Sequence, residues 1–240
     1  MKKIVLISDF DGTISKEDFF NMALERLLTK SDLQPWQDYL DKKITHYEAL
    51  NGIFSRIRIP QPQLDCFIQS IEIDPQFQNT LRLCKKFSIR VYICSAGMDY
   101  YILKRIPDEI KKYGITLLAN KGEYCPETGF KLTPPAKDYR FFNKNTGISK
   151  EALVEHLKKH GFFTVYAGDG FPDFKSAKIA DAVFAKGALL GLCKAAGIKT
   201  LKFNGFSDIY EYLLTAVNKA QSSNTAKTQK ARQTHKSVKK

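Results

Sequence analysis

The sequence contains no apolar run approaching the roughly 20 residues that a membrane-spanning helix needs. Its start, Met-Lys-Lys-Ile-Val-Leu-Ile-Ser-Asp, opens in the manner of a secretory signal, but the apolar stretch stops at Ile7, and Asp9 and Asp11 follow. Cysteines number five (Cys66, Cys84, Cys94, Cys125 and Cys193), an odd count without a C-x-x-C pair, so neither a disulfide framework nor a zinc site is implied. A reducing compartment and a soluble cytoplasmic protein are expected. Acidic residues are missing from Asn218 to Lys240, a stretch with seven Lys or Arg. The formal charge of +13 therefore leaves only +6 for residues 1–217. No aromatic residue follows Tyr212, so that basic end has nothing to stack on bases, and no groove-reading motif accompanies it. A nucleic-acid partner is not expected. A disordered, solubilising tail over 218–240 is the simpler reading, and binding of nucleic acid or an acidic surface through it is the competing one.

What is present is a core-forming chain. Of 240 residues, 43% are hydrophobic and 12% aromatic, which rules out disorder along most of the length. Short β-branched runs recur at Ile4–Ile7, Ile89–Cys94, Ile115–Leu118, Phe163–Ala167 and Ala182–Ala185. Longer stretches with helical spacing separate most of them, the alternation of a parallel sheet covered on both faces. The fold class predicted is α/β: a Rossmann-like parallel sheet sandwiched by helices.

The interval from Ser15 to Lys86 is longer than one crossover helix needs. It reads as helices over Lys16–Leu28, Pro35–Lys43, His46–Ile57 and Gln61–Ile71, with Pro75–Phe87 returning to the sheet. Phe20, Leu24, Leu27 and Leu28 form an apolar stripe, and Pro35 suits a first helical turn. The predicted organisation is a core over 1–14 and 75–217, a helical cap inserted over 15–74, and the tail. Gly122, Pro126 and Gly129 within Asn120–Thr133 predict a β-hairpin.

Three strands end in loops of a ligand-holding type: Asp9-Phe-Asp-Gly-Thr13, Ser95-Ala-Gly97 and Gly168-Asp-Gly170. In an open α/β sheet the carboxyl ends of adjacent strands form the ligand crevice, so these loops should converge. Asp9 and Asp11 alternate and can both face that crevice; carboxylates this close ionise unequally unless a cation or a shared proton relieves them. Read blandly, the segment is only a strand-to-turn transition rich in turn residues. Asp169 and Asp173 form a second acidic pair. Magnesium accepts one or two carboxylates with water and a substrate phosphate, so Asp9, Asp169 and a backbone carbonyl suit it; Asp173 could equally cap the helix beginning near Phe174. Ser95, ahead of a helix expected from Met98, offers a hydroxyl and free amides for an anion, or simply an N-cap. Lys150, after the capping Ser149, reads alone as a solvated charge.

Taken in order, Asp9-Phe-Asp-Gly-Thr13, Ser95, Lys150 and Gly168-Asp-Gly-Phe-Pro-Asp173 resemble the four signature motifs of the haloacid dehalogenase superfamily over residues 3–215. Asp9–Asp18, Cys94-Ser-Ala-Gly-Met-Asp-Tyr-Tyr-Ile102 and Ala180-Asp-Ala-Val-Phe-Ala-Lys-Gly-Ala-Leu189 narrow the resemblance. They point to the phosphoserine-phosphatase-like branch and, within it, to the methionine-salvage phosphatases of 2-hydroxy-3-keto-5-methylthiopentenyl-1-phosphate. The resemblance implies a magnesium-dependent phosphomonoesterase. Asp9 would attack phosphorus and form an aspartyl-phosphate, and Asp11 would protonate the leaving oxygen and then take a proton from water. Ser95, the amide near Gly97 and Lys150 would bind the transferring oxygens. Asp9, the carbonyl of Asp11 and Asp169 would hold magnesium, with Asp173 among or directly behind these ligands. The cap would exclude bulk water on closing. Asp18 falls where phosphoserine phosphatases usually place a substrate-contacting Glu, and Gly12 stands where they commonly have Ser; both departures count against phosphoserine. Arg56 and Arg58 could meet a substrate carboxylate, or lie on a polar helix face. A small phosphate ester is the partner expected, with phosphoserine hydrolysis or phosphotransfer to another acceptor as alternatives.

Overall fold

A computed structural model describes residues 2–219 and 221. The first strand, β1 (Ile4–Ser8), is a β-branched run whose Val5, Leu6 and Ile7 are all fully buried. Between β1 and the next strand come α1 (Phe19–Arg26), a 3-10 turn (Lys30–Leu33), α2 (Gln34–Leu40), α3 (His46–Phe54), α4 (Gln61–Gln69) and α5 (Phe77–Lys86). Then follow β2 (Arg90–Met98), α6 (Asp99–Arg105), α7 (Pro107–Tyr113), β3 (Thr116–Cys125) and β4 (Gly129–Thr133). A two-residue ribbon of β5 (Phe142–Asn143) and β6 (Gly147–Ile148) leads into α8 (Lys150–Lys159) and β7 (Phe163–Gly168). The chain continues through α9 (Phe174–Ile179), β8 (Ala182–Ala185), α10 (Gly187–Ala195) and a helix over residues 206–219, α11.

The main sheet has the order β4-β3-β2-β1-β7-β8. All its pairings are parallel except β3 with β4, the antiparallel hairpin that the glycines and Pro126 predicted. The chain leaves β1 to one side for β2 and returns to its other side with β7. That reversal makes the carboxyl end of β1 the switch point where a crevice opens. Side-chain alternation sends Leu6, Val165 and Ala167 to one apolar layer and Val5, Ile7 and Tyr166 to the other, so both faces are covered. Helices α5 and α11 pack on the first layer through Phe77, Leu81, Phe206 and Leu213; α8 packs on the second through Leu153, Val154 and Leu157.

Helices α1 to α4 sit over the carboxyl edge of the sheet, and their apolar faces run without a break into the larger layer: Phe19, Leu50, Ile53, Phe54, Leu64 and Ile68 share one cluster with Leu6 and Ile93. Phe19 is the joint. Its ring stacks on Tyr101 of α6 at 4.2 Å and 2° and meets Phe54 and Phe67 edge-on. The β3–β4 hairpin is a second attachment. Tyr47 donates to the Leu132 carbonyl at 2.6 Å, Asn51 accepts from the Leu132 amide at 2.8 Å, and the Tyr124 hydroxyl accepts from the Ile59 amide at 3.0 Å. Gly129 lies against the Ser55 carbonyl with φ of 76°, a place where any Cβ would collide.

Two local differences from the sequence reading have physical causes. Helix α1 begins at Phe19 rather than Lys16, because Lys16 donates its amide to the Glu72 carbonyl and Ser15 bridges to Ile73, which keeps this stretch extended until Asp18 caps the helix. Strand β2 runs past Cys94 to Met98, with its pairing to β3 interrupted between those two residues, so the helix starts at Asp99. Helix α11 extends beyond Val217 to include Asn218 and Lys219, and Gln221 is also helical. The remainder of the expected basic tail lies outside the described residues. Among the described residues no helix is long and apolar enough to cross a membrane. Replacing Phe19 by Ala should lower the unfolding free energy by about 3–5 kcal/mol, measured by chemical denaturation, since it deletes a fully buried ring that several aromatic neighbours share.

Candidate active site

Five segments bring their ends to one cavity of about 190 Å³ whose walls include Asp9, Asp11, Asp18, Ser95, Gly97, Lys150 and Asp169. Asp9 follows β1 directly, and its amide still donates to the Ala167 carbonyl of β7 at 2.9 Å, as though the ladder continued. One of its carboxylate oxygens, Oδ1, accepts from the Phe10 amide at 2.7 Å, and the other lies 2.6 Å from Lys150 Nζ.

Lys150 occupies the first position of α8 behind its N-cap Ser149. A cation there opposes the helix dipole, yet this side chain is only 3% exposed, so it is not the solvated charge a lone lysine suggests. The ammonium is held between Asp9 and Asp173, at 2.7 Å from the latter. Burial alone would depress its pKa, but the charges of Asp173 and Asp9 outweigh that and raise it. Asp173 is fully buried and has no spare edge: Oδ1 also accepts from Tyr166 at 2.5 Å, and Oδ2 accepts from the amides of Asp169 and Gly170 at 3.2 and 3.0 Å. It serves as the clamp that positions the Asp169 loop and Lys150.

Asp169 receives a hydrogen bond from Thr13 Oγ1 at 3.2 Å, and its pKa is pushed up to about 6 by burial and by Asp173. Gly12, with φ of 64°, lets the loop after β1 pass so close to Asp169 that a Cβ would strike the Asp169 carboxylate. Asp9 is raised as well, by burial first and then by Asp173, with Lys150 acting in the opposite direction. Oxygens of Asp9, Asp169 and Asp173 all lie within 4.8 Å of one another. One ammonium cannot balance this many buried carboxylates, and the excess of hard oxygen donors suits magnesium.

Asp11 is placed differently. It accepts from Tyr101 Oη at 2.5 Å, from Ser95 Oγ at 3.3 Å and from the Phe19 amide at 3.2 Å. Burial, followed by the negative charge of Asp18, pushes its pKa up to about 7 against the opposing Tyr101 and Phe19 hydrogen bonds. Its carboxyl group is thus poised to hold or release a proton near neutrality. Gly97 permits this, since a Cβ there would run into the Tyr101 hydroxyl, and its amide donates to Ser95 Oγ at 3.0 Å.

Of the sequence-predicted residues, Asp9, Asp11, Ser95, Gly97, Lys150, Asp169 and the cap residue Asp18 share this cavity, with Asp173 directly behind it. Asp18 is also the N-cap of α1, accepting from the Phe20 amide at 2.7 Å. Ser95 lies within β2 and is no N-cap. Arg56 is not brought to the cavity: its guanidinium donates to the Asp32 and Ser31 carbonyls at 2.6 and 3.3 Å, closing the end of the 3-10 turn. Arg58 likewise turns to the Ser55 carbonyl. Tyr101, Tyr166, Thr13 and His46 escaped the sequence reading. Thr13 and Tyr101 left a trace, as members of the Asp9–Thr13 and Cys94–Ile102 segments.

No family model matches the chain. A curated 2-hydroxy-3-keto-5-methylthiopentenyl-1-phosphate phosphatase from Bacillus pumilus is 28% identical over 217 residues, covering 87% of this chain and 90% of that protein. Among solved structures, a phospho-aspartyl intermediate analogue of phosphoserine phosphatase superposes with a TM-score of 0.63 at 18% identity, covering 88% of this chain and 99% of the other. A haloacid dehalogenase family hydrolase from Salmonella enterica serovar Typhi also gives 0.63, at 16% identity over 85% of this chain and 69% of its own. The chain thus has the fold of these solved hydrolases and is similar along most of its length to a curated phosphatase.

Proposed function

We propose that the chain hydrolyses a small phosphate monoester at this cavity through an aspartyl-phosphate on Asp9, with magnesium as cofactor. The observation that carries the reading is the unequal placement of two neighbouring carboxylates. Asp9 is ion-paired to Lys150 beside the Asp169 and Asp173 oxygens, whereas Asp11 stands apart on Tyr101 with a pKa near neutrality. A nucleophile must be ionised and a general acid must carry a proton: Lys150, 2.6 Å from Asp9, favours its carboxylate against the burial that raises it, whereas burial and Asp18 favour the proton on Asp11.

In the first step a carboxylate oxygen of Asp9 bonds to phosphorus as the ester P–O bond breaks, and Asp11 gives its proton to the departing oxygen. In the second, Asp11 takes a proton from water, the resulting hydroxide oxygen bonds to phosphorus, and the Asp9–phosphorus bond breaks to release orthophosphate. Lys150 Nζ and Ser95 Oγ line the cavity where the phosphoryl oxygens must gather charge, and Asp173 keeps Lys150 charged. Asp9, Asp169 and the Asp11 carbonyl would hold magnesium, with Asp173 behind them; when bound, the ion supplies positive charge to oppose that of the phosphoryl group.

A cavity of about 190 Å³ is smaller than the roughly 300–1,000 Å³ of pockets for drug-sized ligands, which favours a small metabolite over a macromolecule. The methionine-salvage enol phosphate is the specific substrate proposed. Similarity to the Bacillus pumilus phosphatase supports it, and with Arg56 turned away no arginine among the described residues lines the cavity for the carboxylate of phosphoserine.

Asp9→Asn should reduce hydrolysis of 4-nitrophenyl phosphate to background in a phosphate-release assay while leaving the thermal transition in place. Asp11→Asn should still release a burst of nitrophenolate, a leaving group that needs little protonation, and then turn over slowly; with an alkyl phosphate the burst should vanish. Chelation by EDTA should stop turnover and magnesium restore it, with calcium a poor substitute because it prefers a larger ligand set.

A further inference from the structure

Strand β2 departs from its neighbour at the segment that lines the catalytic cavity. Cys94 pairs with Leu118 and Met98 with Asn120, so Ser95, Ala96 and Gly97 of β2 stand opposite the single residue Ala119 of β3. Such a bulge takes backbone carbonyls out of the ladder, and a carbonyl removed from water still requires a donor. The Asn120 side chain supplies it: Nδ2 donates to the Ala96 carbonyl at 2.9 Å and to the Gly97 carbonyl at 3.2 Å. Successive carbonyls of a regular strand point to opposite sides, so two that converge on one nitrogen record how sharply β2 bends here. The same nitrogen donates to the Thr146 carbonyl at 3.0 Å, on the segment that runs through β6 to Lys150. One carboxamide thus ties the Ser95 bulge to the approach to α8.

That placement carries a cost. Asn120 is fully buried, and its Oδ1 has no hydrogen-bond partner among the described residues. Oδ1 lies against Gly147, whose φ is 78° and where a Cβ would strike it. A buried acceptor without a donor destabilises the fold in a way that a hydrocarbon side chain of the same shape would not. What the residue contributes in return lies on its nitrogen. The peptide unit is planar and trans, so its C=O and N–H point in opposite directions. With the Ala96 carbonyl held toward Asn120, the Gly97 amide is turned the other way, where it donates to Ser95 Oγ at 3.0 Å. Ser95, Ala96 and Gly97 line the catalytic cavity together with Lys150, which lies on the other tied segment.

We infer that Asn120 is a positioning residue for phosphoryl transfer. Through three backbone carbonyls it sets the direction of the Gly97 amide and the spacing between the Ser95 bulge and the Lys150 segment, so that these donors meet the charge gathering on the phosphoryl oxygens. This rests on the proposed hydrolysis at Asp9 and deepens it by naming the side chain that shapes the oxyanion-binding wall. The carboxylates proposed for magnesium are held by other partners: Asp9 by Lys150 and the Phe10 amide, Asp169 by Thr13.

The test compares the full chain with Asn120→Leu, which matches the branched shape of the carboxamide and removes its donors. Turnover of 4-nitrophenyl phosphate with magnesium should fall by about a hundredfold, the scale of a misplacement of about 1 Å at a reacting group, and the loss should lie in kcat rather than KM. Inhibition by orthovanadate, which adopts the five-coordinate geometry of the transferring phosphoryl group, should weaken by a similar factor. Magnesium affinity, read by calorimetry on the metal-free chain without substrate, should match that of the parent. In a Ser95→Ala background, the further loss from Asn120→Leu should shrink, because both substitutions act on the same set of donors. Should Asn120→Leu fail to fold, Asn120→Ala provides the same comparisons. Vanadate and magnesium affinities that fall together, a parental kcat in the folded variant, or losses that multiply independently with Ser95→Ala overturn the inference while the catalytic reading stands. Hydrolysis that survives Asp9→Asn overturns that reading and this inference with it.

Discussion

An ammonium buried at the first turn of α8, with carboxylates on two sides, is the constraint around which the site is arranged. Lys150 remains charged there because Asp9 and Asp173 lie within ion-pair distance, since a buried ammonium with neither partner would be uncompensated. The pairing binds three separate parts of the chain: the end of β1, the start of α8 and the loop beyond β7. Tyr166, fully buried inside β7, holds Asp173 in turn, so the sheet itself sets the position of the clamp. Because carboxylates outnumber the single ammonium, the same arrangement that fixes the geometry also leaves room for a cation.

A second constraint couples α1 to Asp11. Tyr101 stacks against Phe19 on one side and donates to Asp11 through its hydroxyl, while the Phe19 amide donates to Asp11 as well. Seating α1 on the sheet domain and positioning Asp11 are therefore one event. Close approaches at Gly12 and Gly97 are part of it, because a side chain at either would displace the Asp169 carboxylate or the Tyr101 hydroxyl. The cavity that results is lined both by carboxylates and by aromatic side chains that include Phe20 of α1, Trp36 of α2 and Phe54 of α3.

Much of the site was legible because its residues lie at strand ends. Asp9, Asp11 and Asp169 follow β-branched runs directly, and the direction of a parallel strand brings such loops to one edge. Lys150 was legible only by motif order, for nothing in its neighbourhood tells a buried lysine from a solvated one. The partners of Tyr101 and Asn120 show why other parts were not legible: Tyr101 reaches a carboxylate 90 positions away, and Asn120 ties the Ala96 carbonyl to that of Thr146. Arg56, for which two readings stood open, shows the converse. A guanidinium in a cap has several acceptors within reach, and the free carbonyls at the end of the 3-10 turn captured it.

The order of strands and helices, the covered parallel sheet, the hairpin and the acidic loops were determined by the sequence alone, because periodicity, β-branching and turn residues act on near neighbours along the chain. Which carboxylate pairs with Lys150, which is left to titrate near neutrality, where Arg56 turns and what else lines the cavity were decided by tertiary structure. The reason is electrostatic: the charge state of a buried group depends on desolvation and on partners that the chain brings within a few ångströms only after it has folded.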